Sequence, residues 1–366
     1  MNLIEPITDS PQDLPRLQEL AAEMAAAPYI GLDTEFLRER TYRAQLCLLQ
    51  LSTPSRCECV DPLGNPDLTA LRPALAAPTP VKIMHAARQD LEVLWPLFGA
   101  VKPIFDTQVA AALAGMPAQV GYGELVRRLL GVELDKSHTR TDWSRRPLSP
   151  AQLTYAVDDV RYLGPLRDAL LELLDKRGRS QWMVEEMQLL ASADNLFVDP
   201  ERAHERLKGL NELDPDRQRL ARMLAAWRER RAAERNRPRA WILDDAGLRA
   251  LVNRAPRDLP GLQELVDLTP GFIENSGADI LSLMHEAQLP AVLAPLAGRS
   301  RPDPVLSECV KKLGTITRDV ATALELSPEL LATRRDMEQL ARGERDVGLL
   351  RGWRRAVIGE ALLAAL

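Results

Sequence analysis

Residues 29–37 read YIGLDTEFL, and the two acids inside this apolar run decide both the fold and the chemistry. Tyr29, Ile30 and Leu32 have the character of a buried strand. Successive strand side chains alternate faces, so Asp33 and Glu35 project from one side, two residues apart. Burying two carboxylates there is unfavourable unless a cation or a hydrogen-bond donor compensates. Two further segments offer matching groups. Asp90 closes HAARQD (85–90), and TYAVDDV (154–160) places Asp158 and Asp159 three and four residues after Tyr155, within reach of its helix face. Oxygen-only sets of this kind suit Mg²⁺ or Mn²⁺. Two such ions about 4 Å apart clamp a phosphodiester for in-line hydrolysis. Singly, each piece reads as a solvated acid or a local hydrogen bond; it is their ordered combination that points to a metal site.

The surroundings of the three segments predict an α/β domain. A helix is expected over Pro11 to Ala27 after an extended segment at Leu3 to Ile7, with strands at Tyr29 to Leu37, Ala44 to Ser52 and Cys57 to Asp61, the last two separated by the turn TPSR. A helix at Pro66 to Ala76 and a short strand at Val81 to Met84 lead into the helix of Asp90. After the FDT at Phe105 to Thr107 the pattern becomes helical through Leu130, broken at Gly115 and Pro117. Strands alternating with helices make a mixed central sheet. Ser149 is the expected N-cap of the Tyr155 helix, with Pro150 in its first turn. Beyond residue 200 only helical spacing remains.

The motif order, and above all SHTRTDWSRRPLSPAQLTYAVDDVRYL from Ser137 to Leu163, resembles the ribonuclease D family of DEDD-type 3′→5′ exonucleases, in the branch whose third motif carries tyrosine. The resemblance implies a ribonuclease H-like exonuclease fold over residues 1–200. It makes Asp33, Glu35, Asp90 and Asp159 the ligands of two divalent ions, Mg²⁺ or Mn²⁺, and makes Tyr155 the group that orients the attacking water. The choice of Asp159 over Asp158 rests on the family spacing. Two all-α modules of the HRDC type are implied at 211–290 and, more divergent, at 303–366, hinged by the proline-rich stretch 289–304. The implied substrate is the 3′ end of RNA, with transfer RNA precursors as the class. The same metal site also serves DNA 3′→5′ exonucleases, and an RNA-binding scaffold with an inactive nuclease domain is the rival from another class.

Composition is that of an ordinary globular chain: 366 residues, 46% hydrophobic and 27% charged. This length suggests two or three domains. No apolar run is long enough to span a membrane, and the first residues lack a basic-then-apolar leader, so a cytoplasmic monomer is expected. Cys47, Cys57, Cys59 and Cys309 lack zinc-site spacing and read as small core or strand residues. The net charge of −5 is unevenly divided. Residues 1–200 hold 20 Lys and Arg against 27 Asp and Glu; residues 201–366 hold 27 against 25. Nine arginines crowd 217–239, either an attractive field for RNA or a solvated helix face. Between Gly131 and Ser149, Lys136, His138, Arg140, Trp143, Arg145 and Arg146 combine cations with an aromatic ring, a pairing used on single strands, although Trp143 could equally anchor the loop. His85 and His138 are secondary acid or base candidates.

Overall fold

The computed structural model describes residues 5–64, 66–135, 141–288 and 304–366. Five strands form one sheet in the order β3-β2-β1-β4-β5: β1 Tyr29–Leu37, β2 Gln45–Ser52, β3 Cys57–Val60, β4 Val81–Met84 and β5 Ile104–Asp106. β1 runs parallel to β4, with Tyr29 opposite Val81 and Gly31 opposite Ile83. β4 is parallel to β5, while β2 and β3 are antiparallel, so the sheet is mixed as expected. Ile7 adds a parallel bridge to Val60. β5 is a three-residue strand at a stretch that the sequence pattern assigns to no element.

Helices α1 Leu14–Ala26, α2 Arg72–Ala76, α3 Arg88–Phe98, α4 Thr107–Leu113, α5 Tyr122–Leu130, α6 Pro150–Arg161, α7 Leu163–Lys176 and α8 Ser180–Leu190 complete this part of the chain. Gly31 lets α6 come close to β1. A Cβ there would meet the Val160 carbonyl at 3.2 Å and run into Ser52 Oγ. Ser52 uses that space, donating to the Val160 carbonyl at 2.9 Å.

The chain packs as two compact units. One comprises Met1–Leu37, Leu46–Leu196 and Asp303–Leu366; the other comprises Arg38–Gln45 and Phe197–Pro302. The third sequence block therefore shares a unit with the sheet. Its Trp353 stacks on Trp182 of α8 at 4.4 Å between ring centroids and donates its indole N–H to Glu186 at 2.8 Å, and its backbone N–H reaches Glu185 at 2.8 Å. Arg354 pairs with the same Glu186, and Arg177 with Glu325 at 2.7 Å. The expected hinge at 289–304 lies outside the described residues, apart from Pro304, which begins the helix Pro304–Ala323.

In the second unit the long helix Pro215–Arg235 packs Leu220, Ala221 and Leu224 against Leu248, Leu251, Ile280 and Met284. No strand occurs after Asp106 among the described residues. The arginines of this unit serve mainly to stitch it together. Arg228 is buried and bonds the Leu243 carbonyl (3.0 Å) and Asp245 (2.8 Å); Arg219 bonds the Glu286 and Ala287 carbonyls; Arg230 pairs with Glu201, and Arg239 with Glu229. Arg217, Arg230, Arg235 and Arg237 stay exposed on the long helix and the turn after it. The 38–45 segment belongs here because Tyr42 donates to the buried Glu229 at 2.6 Å and Arg43 N–H to Asn236 at 3.0 Å.

Candidate active site

The sheet and two helices bring the sequence motifs together. Asp33 and Glu35 sit on β1, the central strand. Asp90 lies in the first turn of α3, next to β4, the parallel neighbour of β1. The turn that aims α3 is fixed by Asp106 at the end of β5, whose carboxylate accepts from Ala86 N–H (3.1 Å) and Ala87 N–H (2.8 Å) while capping α4 through Gln108 N–H. Asp159 and Tyr155 are one turn apart on α6. That helix starts with the expected Ser149 cap, a reciprocal capping box with Gln152.

The four carboxylates press on one another. Burial raises Asp33 well above the usual carboxylate range, and Asp90, Asp159 and Glu35 raise it further. Burial lifts Glu35 to about 8, with Asp159 and Asp90 adding to it. Asp90 and Asp159 are each pushed up to about 7, mainly by burial. The Thr34 hydroxyl donates to Asp90 and opposes its rise, and Tyr155 does the same for Asp159. None of the four forms an ion pair with a Lys, Arg or His of the described residues. Such an uncompensated all-oxygen set fits a hard divalent cation. Among the described residues no three acids, histidines or cysteines already converge into a coordination shell.

The Asp158 and Asp159 alternatives separate clearly. Asp158 pairs with Arg161 at 2.8 Å, whereas Asp159 faces Tyr155 and the β1 acids. The Tyr155 hydroxyl is held far into its protonated form by burial and then by Asp159, Glu35 and Asp33.

The loop candidates divide. Lys136, His138 and Arg140 lie outside the described residues. Trp143 is 4% exposed and packs with Leu48, Leu153 and Val157, 6.2 Å from the Tyr155 ring, so it anchors the loop and has no open face for a base. Arg146 is likewise spent inside: it grips Asp61 (2.6 Å) and the carbonyls of Cys47 (2.7 Å) and Trp143 (2.8 Å). Arg145, 85% exposed at its side chain and paired only with its neighbour Asp142, is the described loop cation open to solvent. His85 is a structural bridge. Thr107 Oγ1 donates to the Met84 carbonyl at 3.1 Å and sits 2.9 Å from His85 Nδ1. Burial lowers its pKa, which keeps the ring neutral.

Two neighbours of the cluster carry no signal in the sequence. Thr34, between the two acids of β1, orients Asp90. Tyr122 donates to the Asp158 carbonyl at 2.9 Å, packs edge-on against His85, and has its pKa raised by burial and also by Asp159 and Asp33. It walls the cluster from the α5 side.

Comparison with known proteins places the chain in a family. A 3′-5′ exonuclease family model matches residues 9–175 and an HRDC domain model matches residues 217–284. Ribonuclease D of Granulibacter bethesdensis is 38% identical over 97% of this chain and 92% of its own. Ribonuclease D of Nitrobacter hamburgensis is 40% identical over 95% of this chain and 92% of its own. The crystal structure of Escherichia coli RNase D, described as an exoribonuclease involved in structured RNA processing, superposes with a TM-score of 0.88 at 33% identity, covering 100% of this chain and 99% of that one.

Proposed function

The chain belongs to the ribonuclease D family and is a 3′→5′ exoribonuclease, and from that premise we propose that Asp33, Glu35, Asp90 and Asp159 hold two divalent cations, Mg²⁺ or Mn²⁺, at which RNA 3′ ends are hydrolysed to nucleoside 5′-monophosphates. The observation that carries the site assignment is the set of four crowded carboxylates, all with raised pKa and none with a cationic partner among the described residues. When bound, the ions supply charge stabilisation at the phosphate and lower the pKa of water. The remaining work falls to the chain. Tyr155 orients the attacking water by hydrogen bond, because a phenol, with an ordinary pKa of about 10, is a poor base at neutral pH. Thr34 holds Asp90 in place from the strand. Arg145, exposed on the loop that precedes α6, offers a cation to phosphate, and the acidic half of the chain makes cation binding a condition for admitting a polyanion.

Within that reaction we assign transfer RNA precursors as the substrate class, supported by the family and by the HRDC module. Digestion of a structured transfer RNA precursor, with 3′-end mapping and a matched DNA strand alongside, tests the assignment. Stepwise 3′ shortening of the RNA to the mature end supports it. Equal digestion of the DNA, or degradation that ignores the mature end, refutes it.

A further inference from the structure

Gln50, in the middle of β2, is completely buried, and neither the nitrogen nor the oxygen of its side-chain amide has a hydrogen-bond partner. Natural proteins seldom leave both ends of a buried amide unmade. The sheet shows what lies beside it. Gln50 is opposite Cys59 of β3, and Ser52 is opposite Cys57. On the other side β2 adjoins β1, and the 38–44 connection is too short for the crossover that a parallel pair needs, so these strands run antiparallel. A Cβ on Gly31 would run into Ser52 Oγ, so those two residues face each other. Two steps along each strand, in opposite directions, then set Asp33 against Gln50 and Glu35 against Leu48. Ser52 bonds α6 at Val160 and Leu48 packs with Leu153 and Val157 of α6, so the strand period puts Gln50 under α6 as well. Across the sheet the row reads Cys59, Gln50, Asp33. In that row Asp33 offers the carboxyl oxygens that an amide N–H can use.

We infer that Gln50 is a positioning residue for Asp33: its amide N–H, unpartnered in the metal-free protein, donates to the Asp33 carboxylate once a cation is held there and keeps that carboxylate in its ligating orientation. The inference rests on the reading of Asp33 as a cation ligand. Hydrogen bonds from a second layer of residues commonly hold ligating carboxylates, and their loss weakens metal binding by about 10- to 100-fold. In the metal-free protein, by contrast, the unpartnered amide is a liability that an apolar side chain of similar size relieves.

The test uses Gln50→Leu and Gln50→Met, two replacements so that one packing failure does not decide the matter. Mn²⁺ affinity is read from the free-ion electron paramagnetic resonance signal, and the melting temperature is read in EDTA. Both variants are expected to bind Mn²⁺ at least about 10-fold more weakly while melting in EDTA at or above the wild-type temperature. Mn²⁺ affinity within twofold of wild type in both variants overturns the inference, as does a lower melting temperature in EDTA for both, which makes Gln50 a packing residue. Asp33→Asn is the control: if it binds Mn²⁺ as wild type does, the cation-site reading fails; if it loses Mn²⁺ while both Gln50 variants keep it, only the present inference fails.

Discussion

Stripping divalent ions should make the protein lose stability as pH rises, and Asp90→Asn should remove much of that loss. Burial lifts Asp90 from 3.8 to about 7. One pKa unit corresponds to about 1.4 kcal/mol, so three units set a ceiling of about 4 kcal/mol, and charge shared with coupled neighbours leaves about 2–4 kcal/mol as the working figure. The sign follows from proton counting. Folded Asp90 keeps its proton to higher pH than the unfolded chain does, so the native state binds more protons between about pH 4 and pH 7 and stability falls across that window. Glu35, raised to about 8, carries the fall further. In EDTA, wild-type protein followed by tryptophan fluorescence should melt at progressively lower temperature from pH 5 to pH 8. Asp90→Asn should lose roughly 5–10 °C less over that range, at a few degrees per kcal/mol for a unit of this size. Ions at 100 times their Kd return about 2.7 kcal/mol, and the gain should be larger at pH 8 than at pH 5, where protons compete for the same carboxylates. A wild-type melting temperature in EDTA that stays level or rises from pH 5 to pH 8 refutes the reasoning, as does an Asn variant that runs parallel to wild type.

Tyr155→Phe should lower kcat by about 100-fold, in the range for one positioned proton-handling group, with KM nearly unchanged; a rate within twofold of wild type removes Tyr155 from the mechanism. Arg146→Met should cost about 2–4 kcal/mol in chemical denaturation, because it strands Asp61, 7% exposed at its side chain, and two backbone carbonyls; a loss under 1 kcal/mol would show that the grip on the loop is idle. Trp353→Ala should cost about 3–5 kcal/mol by opening a cavity over Trp182 and freeing Glu186. Unchanged denaturation there would mean that the C-terminal block is not integral to the unit it packs in.

Local pattern made much of the fold legible. The β1 and β4 boundaries match the sequence reading residue for residue, and the Ser149 cap was visible as a Ser-Pro start. β5 was not visible, because three residues are too few to show a period and Asp106 reads equally well as the start of α4. Long-range partners account for the other differences. Trp143 beside three cations suggests base stacking until Leu48 and Val157 are seen to enclose it. Of the arginines of 217–239, Arg228, Arg230 and Arg219 turn out to be held by Asp245, Glu201 and the 286–287 carbonyls, partners that the local pattern does not show. The grouping of the C-terminal block with the sheet depends on Trp182 and Trp353, 171 positions apart, which no local window relates. For the site itself, spacing alone left Asp158 and Asp159 open, and the Arg161 pairing separates them.

The central claim is that the carboxylates contributed by β1, α3 and α6 form the metal-dependent hydrolytic centre. Its most direct test is the release of nucleoside 5′-monophosphates from a single-stranded RNA labelled at its 3′ end, with Mn²⁺ or Mg²⁺, by wild type and by Asp33→Asn. The account predicts 5′-monophosphates from the 3′ end with wild type, none in EDTA, and a loss of at least about 1,000-fold in rate for the variant while RNA binding is retained. Undiminished release by Asp33→Asn, or release by wild type in EDTA, would contradict it.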